Sequence, residues 1–171
     1  MGDREKRSQF PILKHLSAWA AATATVEPAA AWIRQSERAI LGQGVPLHAH
    51  ELEVAASLGV VYPEAVRLLE VDAVPVPGHR LAHLLGRAAP QGIAGLTAGY
   101  GIYLIPAVFN DPEIRIHELV HVGQYDRLGL RPFLWHYTYQ CLVHGYADAP
   151  LEREAVDQAA QICRSRNDLS P

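Results

Sequence analysis

The chain has 171 residues, with 15 Lys or Arg against 18 Asp or Glu for a formal charge of −3, and it is 49% apolar and 19% charged. That is one domain with apolar residues enough for its own core, which excludes wholesale disorder, collagen and coiled-coil architectures. Scattered basic residues under a negative net charge exclude a nucleic-acid footprint, no apolar run reaches the ~20 residues of a membrane span, and Cys141 and Cys163 form no CxxC, which points to a reducing, cytoplasmic setting.

Residues 1–30 read as a peripheral arm, charged at first and then built of small side chains with little to bury. Arg4, Lys6 and Arg7 before the apolar stretch 16–26 have the outline of an export signal, but that stretch is rich in Ala and Thr and runs into Glu27-Pro28. A loose arm or optional helix is the plainer reading, with a single domain over 31–171. Trp32, Ile33, Ala39, Ile40 and Leu41 predict a short helix over 32–41, stopped by Gly42-Gln43-Gly44-Val45-Pro46. A helix over 49–58, a strand over 66–75 and a helix over 78–88 follow. Glycines punctuate β-prone residues over 92–106, the pattern of two short strands or a hairpin. Asn110-Asp111-Pro112-Glu113 then opens a helix, with an acidic or amide N-cap, Pro in the first turn and Glu at the positive end of the macrodipole. This helix is expected to reach Gly129, and two more follow, from Arg131-Pro132 to His144-Gly145 and from about Asp148 to Arg164.

The well-capped helix contains His117-Glu118-Leu119-Val120-His121, an HExxH pattern. Residues four apart share a helix face, so two imidazoles reach one metal ion, and the glutamate one step round lies beside the open coordination position. Two neutral imidazoles and a carboxylate leave room for a water whose pKa the metal lowers, and a nearby Glu takes its proton. The random expectation for this pattern in a chain of this composition is about 0.03, small enough for the context to decide. The preceding strand, the cap and the uncharged Leu119 and Val120 favour a site. Arg115, two residues before His117, is the dissenting feature, since an uncharged residue is usual there, although an exposed helix position could carry it.

Downstream, Glu152 and Glu154 both offer a third ligand. Positions 152, 156, 159 and 163 form one stripe reading Glu, Val, Ala, Cys, whereas 154, 158, 161 and 165 read Glu, Gln, Gln, Ser. An acid on an apolar stripe is costly unless it is paired or metal-bound, so Glu152 is the better ligand and Glu154 the better surface charge. The plainer reading of Glu152 is an acid decorating the first turn of a helix.

His117-Glu118-Leu119-Val120-His121-Val122-Gly123-Gln124-Tyr125, followed by Gly145-Tyr146 and then Pro150-Leu151-Glu152-Arg153-Glu154-Ala155, resembles small bacterial zincin-like metallopeptidases of the gluzincin type. The likeness covers roughly residues 45–160. It departs from the gluzincin Glu-x-x-Ala/Ser-Asp/Asn pattern at Val156, where an acid or amide is usual. The resemblance implies Zn²⁺ binding and peptide-bond hydrolysis, and names no substrate.

Supporting roles are open to several residues. Gln124 lies on the face of His121 and either orients it or is simply solvated. Tyr146 is the favoured hydrogen-bond donor to an oxyanion, with Tyr137, Tyr139 and His144 as competitors and a satisfied core tyrosine as the plainer reading. In a zincin arrangement the strand over 100–105 would be the sheet edge to which an extended peptide adds as a further strand, and an ordinary core strand is the plainer reading. His79 and His83 are also four apart, but a bare HxxxH has a random expectation of about 0.5 here and carries no information. His48 and His50 are expected to be exposed and the two cysteines to pack in apolar surroundings. There is no Gly-x-Ser-x-Gly elbow and no phosphate loop.

These residues predict an α+β domain of zincin-like design: a short mixed sheet packed on the HExxH helix, with two C-terminal helices, the last delivering Glu152. The expected function is zinc-dependent hydrolysis of a peptide or protein substrate, with His117, His121 and Glu152 as metal ligands and Glu118 as general base. The alternative is a catalytically silent zinc-binding or protein-interaction module, in which His144 closes the fourth position.

Overall fold

A computed structural model describes residues 3–76 and 93–167. In chain order these form α1 (Asp3–Gln43), β1 (Val45–Pro46), α2 (Ala49–Ser57), a 3-10 turn (Pro63–Ala65), β2 (Arg67–Glu70), β3 (Gly95–Ala98), β4 (Gly101–Leu104), α3 (Pro112–Leu128), α4 (Leu130–His144) and α5 (Pro150–Asn167). The described residues are thus α+β, with five α-helices and a four-stranded mixed sheet. The helix expected over 78–88, with His79 and His83, lies outside the described residues.

Local chemistry sets α3. The Asp111 side chain accepts from the backbone N–H groups of Glu113 (2.9 Å) and Ile114 (3.2 Å), Pro112 sits in the first turn, and Gly129 ends the helix at φ +79°. Buried positions run all round its middle, from Arg115 through Tyr125, which makes it the central helix.

The sheet order is β1-β2-β4-β3, with β2 parallel to β4 and the outer pairs antiparallel. β3 and β4 join through Gly99-Tyr100, with Gly99 at φ +61° as a primed hairpin turn requires. Side chains alternate across the sheet. Leu68, Ile102 and Leu104 pack with Leu119 and Val122 of α3 and Ala55 of α2, while Tyr103 packs with Ile33 and Ile40 of α1 and Phe133 of α4. Each fully buried aliphatic side chain here contributes about 1.5–3 kcal/mol. Of the two readings of the strand over 100–105, the core strand holds: β4 is an interior strand buried along its whole length, and among the described residues β3 lies at the edge. β2 covers only part of the stretch 66–75 read as strand.

The largest departure from the sequence reading is at the N-terminus. The residues read as a loose arm belong to one helix continuous from Asp3 to Gln43, which buries Ala18, Ala22, Ala29 and Ala30. It runs antiparallel along α4: Lys14 donates to the Val143 carbonyl (2.7 Å), His15 meets Tyr139 (2.8 Å), Trp135 donates to Thr23 (3.1 Å), and Arg131 pairs with Glu27 (2.6 Å). Alanines give a weak hydrophobic pattern, yet their small size lets two helix backbones come close, and that tertiary packing carries the helix through Pro28.

Arg115 does not take the exposed position that a helix surface could have given it. It is buried, paired with Glu51 of α2 through Nε (2.8 Å) and Nη2 (2.9 Å), with its guanidinium 5.8 Å from the Phe109 ring centroid. Glu51 accepts from the His48 backbone N–H as well (2.8 Å), so one carboxylate fastens the start of α2 to α3. His48 and His50 are exposed, as expected, and stack on each other.

Candidate metal centre

Three side chains converge where α3 meets the start of α5. His117 and His121 lie one turn apart, with their Nε2 atoms separated by 3.2 Å, and Glu152 reaches them from the first turn of α5. Its Oε2 is 3.4 Å from His117 Nε2 and its Oε1 is 3.4 Å from His121 Nε2. Ligands held tetrahedrally at 2.0–2.1 Å from one ion are themselves about 3.3–3.4 Å apart. The two imidazole nitrogens are close to that spacing and each is 3.4 Å from a different Glu152 oxygen, with one ligand atom from each residue lying within 4.8 Å of the others, so this donor set suits a zinc-sized cation.

Glu152 is only 2% exposed, and burial by itself raises the pKa of a carboxylate. The His117 and His121 rings outweigh that and hold it well below the usual carboxylate range. Burial likewise disfavours a charged His121, and the adjoining Glu152 carboxylate outweighs it, raising the imidazole to about 9. Tyr137 donates to Glu152 Oε1 at 2.5 Å, an oriented partner that fixes the rotation of the carboxylate. Glu154 points elsewhere: it takes both arms of the Arg127 guanidinium at 2.9 Å each. The buried face of α5 is Leu151, Glu152, Ala155 and Ala159, whereas Val156, grouped with Glu152 by the stripe reading, is 52% exposed. The face is centred on the side of Glu152 away from Val156, because Leu151 and Ala155 lead the packing.

Glu118 is buried beside His117, His121 and Glu152, and two residues of β3 define its position. Thr97 Oγ1 lies 2.6 Å from Glu118 Oε2, and a Cβ on Gly95 would fall 2.6 Å from Glu118 Oε1. Gly95 and Thr97 are two apart and therefore share the strand face turned to α3. Neither was read from sequence as a site residue; the available signal was that Thr97 is the one hydroxyl residue in β3.

Gln124 is 1% exposed and belongs to the site. Its Nε2 donates to the Leu151 carbonyl (3.0 Å), which leaves Oε1 to accept from His121 Nδ1 (2.8 Å). Tyr146 lines the cavity next to Glu152, and burial together with that carboxylate pushes its phenol far above the usual range, so it is a neutral O–H donor. Of its competitors, Tyr137 is committed to Glu152, Tyr139 stacks on Trp135, and His144 is exposed. Cys141 and Cys163 are half-buried free thiols, and burial with the nearby Glu152 charge pushes Cys141 up to about 12.

The cavity over these groups has a volume of about 110 Å³. Trp32 and Ile33 of α1, Leu96 of β3 and Phe133 and Leu134 of α4 form its apolar walls, so the helix read as an arm helps enclose the site.

Compared with protein-family models, with curated proteins and with solved structures, the chain has no match. No helix among the described residues is long and apolar enough to cross a membrane.

Proposed function

We propose that the protein is a zinc-dependent metallopeptidase of zincin-like, gluzincin-type design, acting on a peptide or protein substrate. The observation that carries this reading is the convergence of His117 and His121, their Nε2 atoms 3.2 Å apart and each 3.4 Å from one oxygen of Glu152, next to the buried carboxylate of Glu118. His117, His121 and Glu152 would hold Zn²⁺, its two positive charges half neutralised by the single negative charge of Glu152, since the two imidazoles bind neutral. When bound, the ion supplies Lewis acidity, lowering the pKa of a water and polarising a carbonyl.

The chain's own groups perform the rest. Glu118 accepts the proton of the attacking water on its carboxylate and passes it to the leaving amine as the C–N bond breaks. Thr97 keeps that carboxylate in one rotamer, and Gly95 leaves the space it occupies. Tyr146 donates its hydroxyl hydrogen to the oxygen on which negative charge develops. β3, an edge strand among the described residues, would offer backbone groups to an extended peptide.

A second reading has its own observation: a cavity of only about 110 Å³, walled on one side by α1, suits a catalytically silent zinc-binding module as well. Elemental analysis and a peptide-library assay separate the two. One zinc per chain is expected in the wild type and in Glu154→Ala, and none in His121→Ala or Glu152→Ala. Cleavage that disappears in Glu118→Gln while zinc is retained supports the peptidase; full zinc without cleavage of any peptide supports the silent module. No bound zinc in any form overturns both.

A further inference from the structure

The hydrogen bonds around His121 do not end at Gln124. Gln124 Nε2, besides the Leu151 carbonyl, donates to Glu154 Oε2 at 3.1 Å, and Glu154 is held by Arg127 through two 2.9 Å bonds. Arg127 Nη, Glu154 carboxylate, Gln124 amide and His121 Nδ1 therefore form one unbroken chain from the surface to the candidate ligand. It crosses between α3, which carries His121, Gln124 and Arg127, and α5, which carries Glu154.

We infer that this chain is a positioning relay, in which Arg127, Glu154 and Gln124 fix the ring of His121 with Nδ1–H outward and Nε2 facing His117 and Glu152. The polarity is determined at each link. Arg127 is only a donor, so both Glu154 oxygens accept from it. A carboxylate has no hydrogen to offer, so Gln124 turns its NH₂ towards Glu154 and the Leu151 carbonyl, both of which are acceptors. That orientation leaves Oε1 as the only atom of the amide facing His121, so Nδ1 is the donor. Nε2 is then directed at His117 and Glu152.

The surface end of the relay adds little stability. The Arg127 side chain is 55% exposed, and exposed ion pairs of this kind contribute weakly. Its consequence is orientational, because Glu154 without Arg127 keeps only the neutral amides of Gln124 (3.1 Å) and Gln158 (3.2 Å) and loses the charged fork that holds both its oxygens. The same reasoning gives Glu154 a role that its loss as a ligand would not suggest: it acts on the centre through two intervening groups. Gln124, Glu154 and Arg127 are positioning residues, since none touches the reacting atoms.

This inference rests on the proposed metal site for its functional meaning, but its test does not. Gln124→Glu, Glu154→Gln and the combined exchange are compared with the wild type by zinc affinity in chelator competition. They are also compared by the solvent protection of the His121 Nδ1–H resonance in ¹⁵N-histidine-labelled protein, with chelator and with zinc. Gln124→Glu alone sets two carboxylates against each other, and Glu154→Gln alone weakens the hold of Arg127. Each is expected to weaken zinc binding about 10- to 100-fold and to unprotect the Nδ1–H. The combined exchange puts an amide back between the acceptor beside His121 and Arg127, while the Leu151 carbonyl still lacks its side-chain donor. It is expected to recover the protected resonance and to bind zinc at least about threefold more tightly than Gln124→Glu alone. Single-variant losses that simply add in the combined exchange, or a resonance equally protected in all four proteins, would overturn the relay. If the wild type binds no zinc, the metallopeptidase reading falls, and the resonance alone decides the relay by the same pattern of loss and recovery.

Discussion

Thr97 Oγ1 of β3 lies 2.6 Å from Glu118 Oε2 and 3.0 Å from the Glu118 backbone oxygen, so its single hydroxyl hydrogen, given to the nearer carboxylate oxygen, ties the HExxH glutamate to the sheet. A buried carboxylate with one strong donor is held in one rotamer, which a general base needs in order to meet a water in a single direction. Thr97→Val keeps the shape and removes the donor. We expect kcat to fall about 10- to 100-fold with zinc content unchanged. A variant with wild-type kcat in a cleavage assay would remove Thr97 from the mechanism.

Gly95 gives a steric version of the same test. A Cβ there would lie 2.6 Å from Glu118 Oε1 and 3.0 Å from Leu104 Cδ2, and Glu118 cannot swing aside without giving up Thr97. Gly95→Ala is expected to destabilise the fold by about 1–3 kcal/mol, as overpacked interiors do, and to lower cleavage more than zinc binding. Thermal unfolding and zinc titration on the same sample read the two effects separately.

The site also sets how stability depends on pH. His121 rises from 6.5 to about 9, so in protein treated with chelator its pairing with Glu152 stabilises the fold fully below pH 6.5 and is lost as pH rises towards 9. Glu152 is depressed below 4.5, so its contribution is present above pH 4.5 and is lost as pH falls through its folded pKa. Between pH 6.5 and 9 the chelator-treated protein is therefore expected to lose stability. Protein with zinc should gain over that interval, because the ligands must be deprotonated to bind. Melting temperatures measured at pH 6.5 and 9, with zinc and with chelator, check the opposite signs; parallel slopes would contradict them.

The buried Arg115–Glu51 pair joins α2 to α3 away from the cavity. Removing one partner leaves a buried charge uncompensated, so Arg115→Met is expected to cost about 3–5 kcal/mol. The double variant Arg115→Met with Glu51→Leu should recover part of that. Denaturant unfolding of the single and double variants reads the difference.

How much of this was legible in the chain differs by element. Asp111, Pro112 and Gly129 bound α3 by local chemistry, and the glycine-punctuated stretch before it reads as the hairpin that forms. The i, i+4 spacing of His117 and His121 already placed both rings on one face, because that relation is intrinsic to a helix. Glu152 and Glu154, by contrast, could be ranked only by a stripe argument that put Val156 on the wrong side, since the phase of a buried face depends on neighbours the chain alone does not reveal.

What the sequence by itself determined is therefore what short-range geometry carries: the caps, the hairpin, the HExxH face and an α+β composition. Tertiary structure alone decided the rest. It brought Glu152 to the imidazoles across a 30-residue gap, set Thr97 and Gly95 against Glu118, turned Arg115 inward onto Glu51, and laid the alanine-rich α1 along α4 as a wall of the cavity. The reason is common to all four. Alanine, threonine, glycine and a lone charged residue have weak or ambiguous local signals, and their places are fixed by close contacts between segments far apart in the chain, which appear only once the helices and sheet have packed.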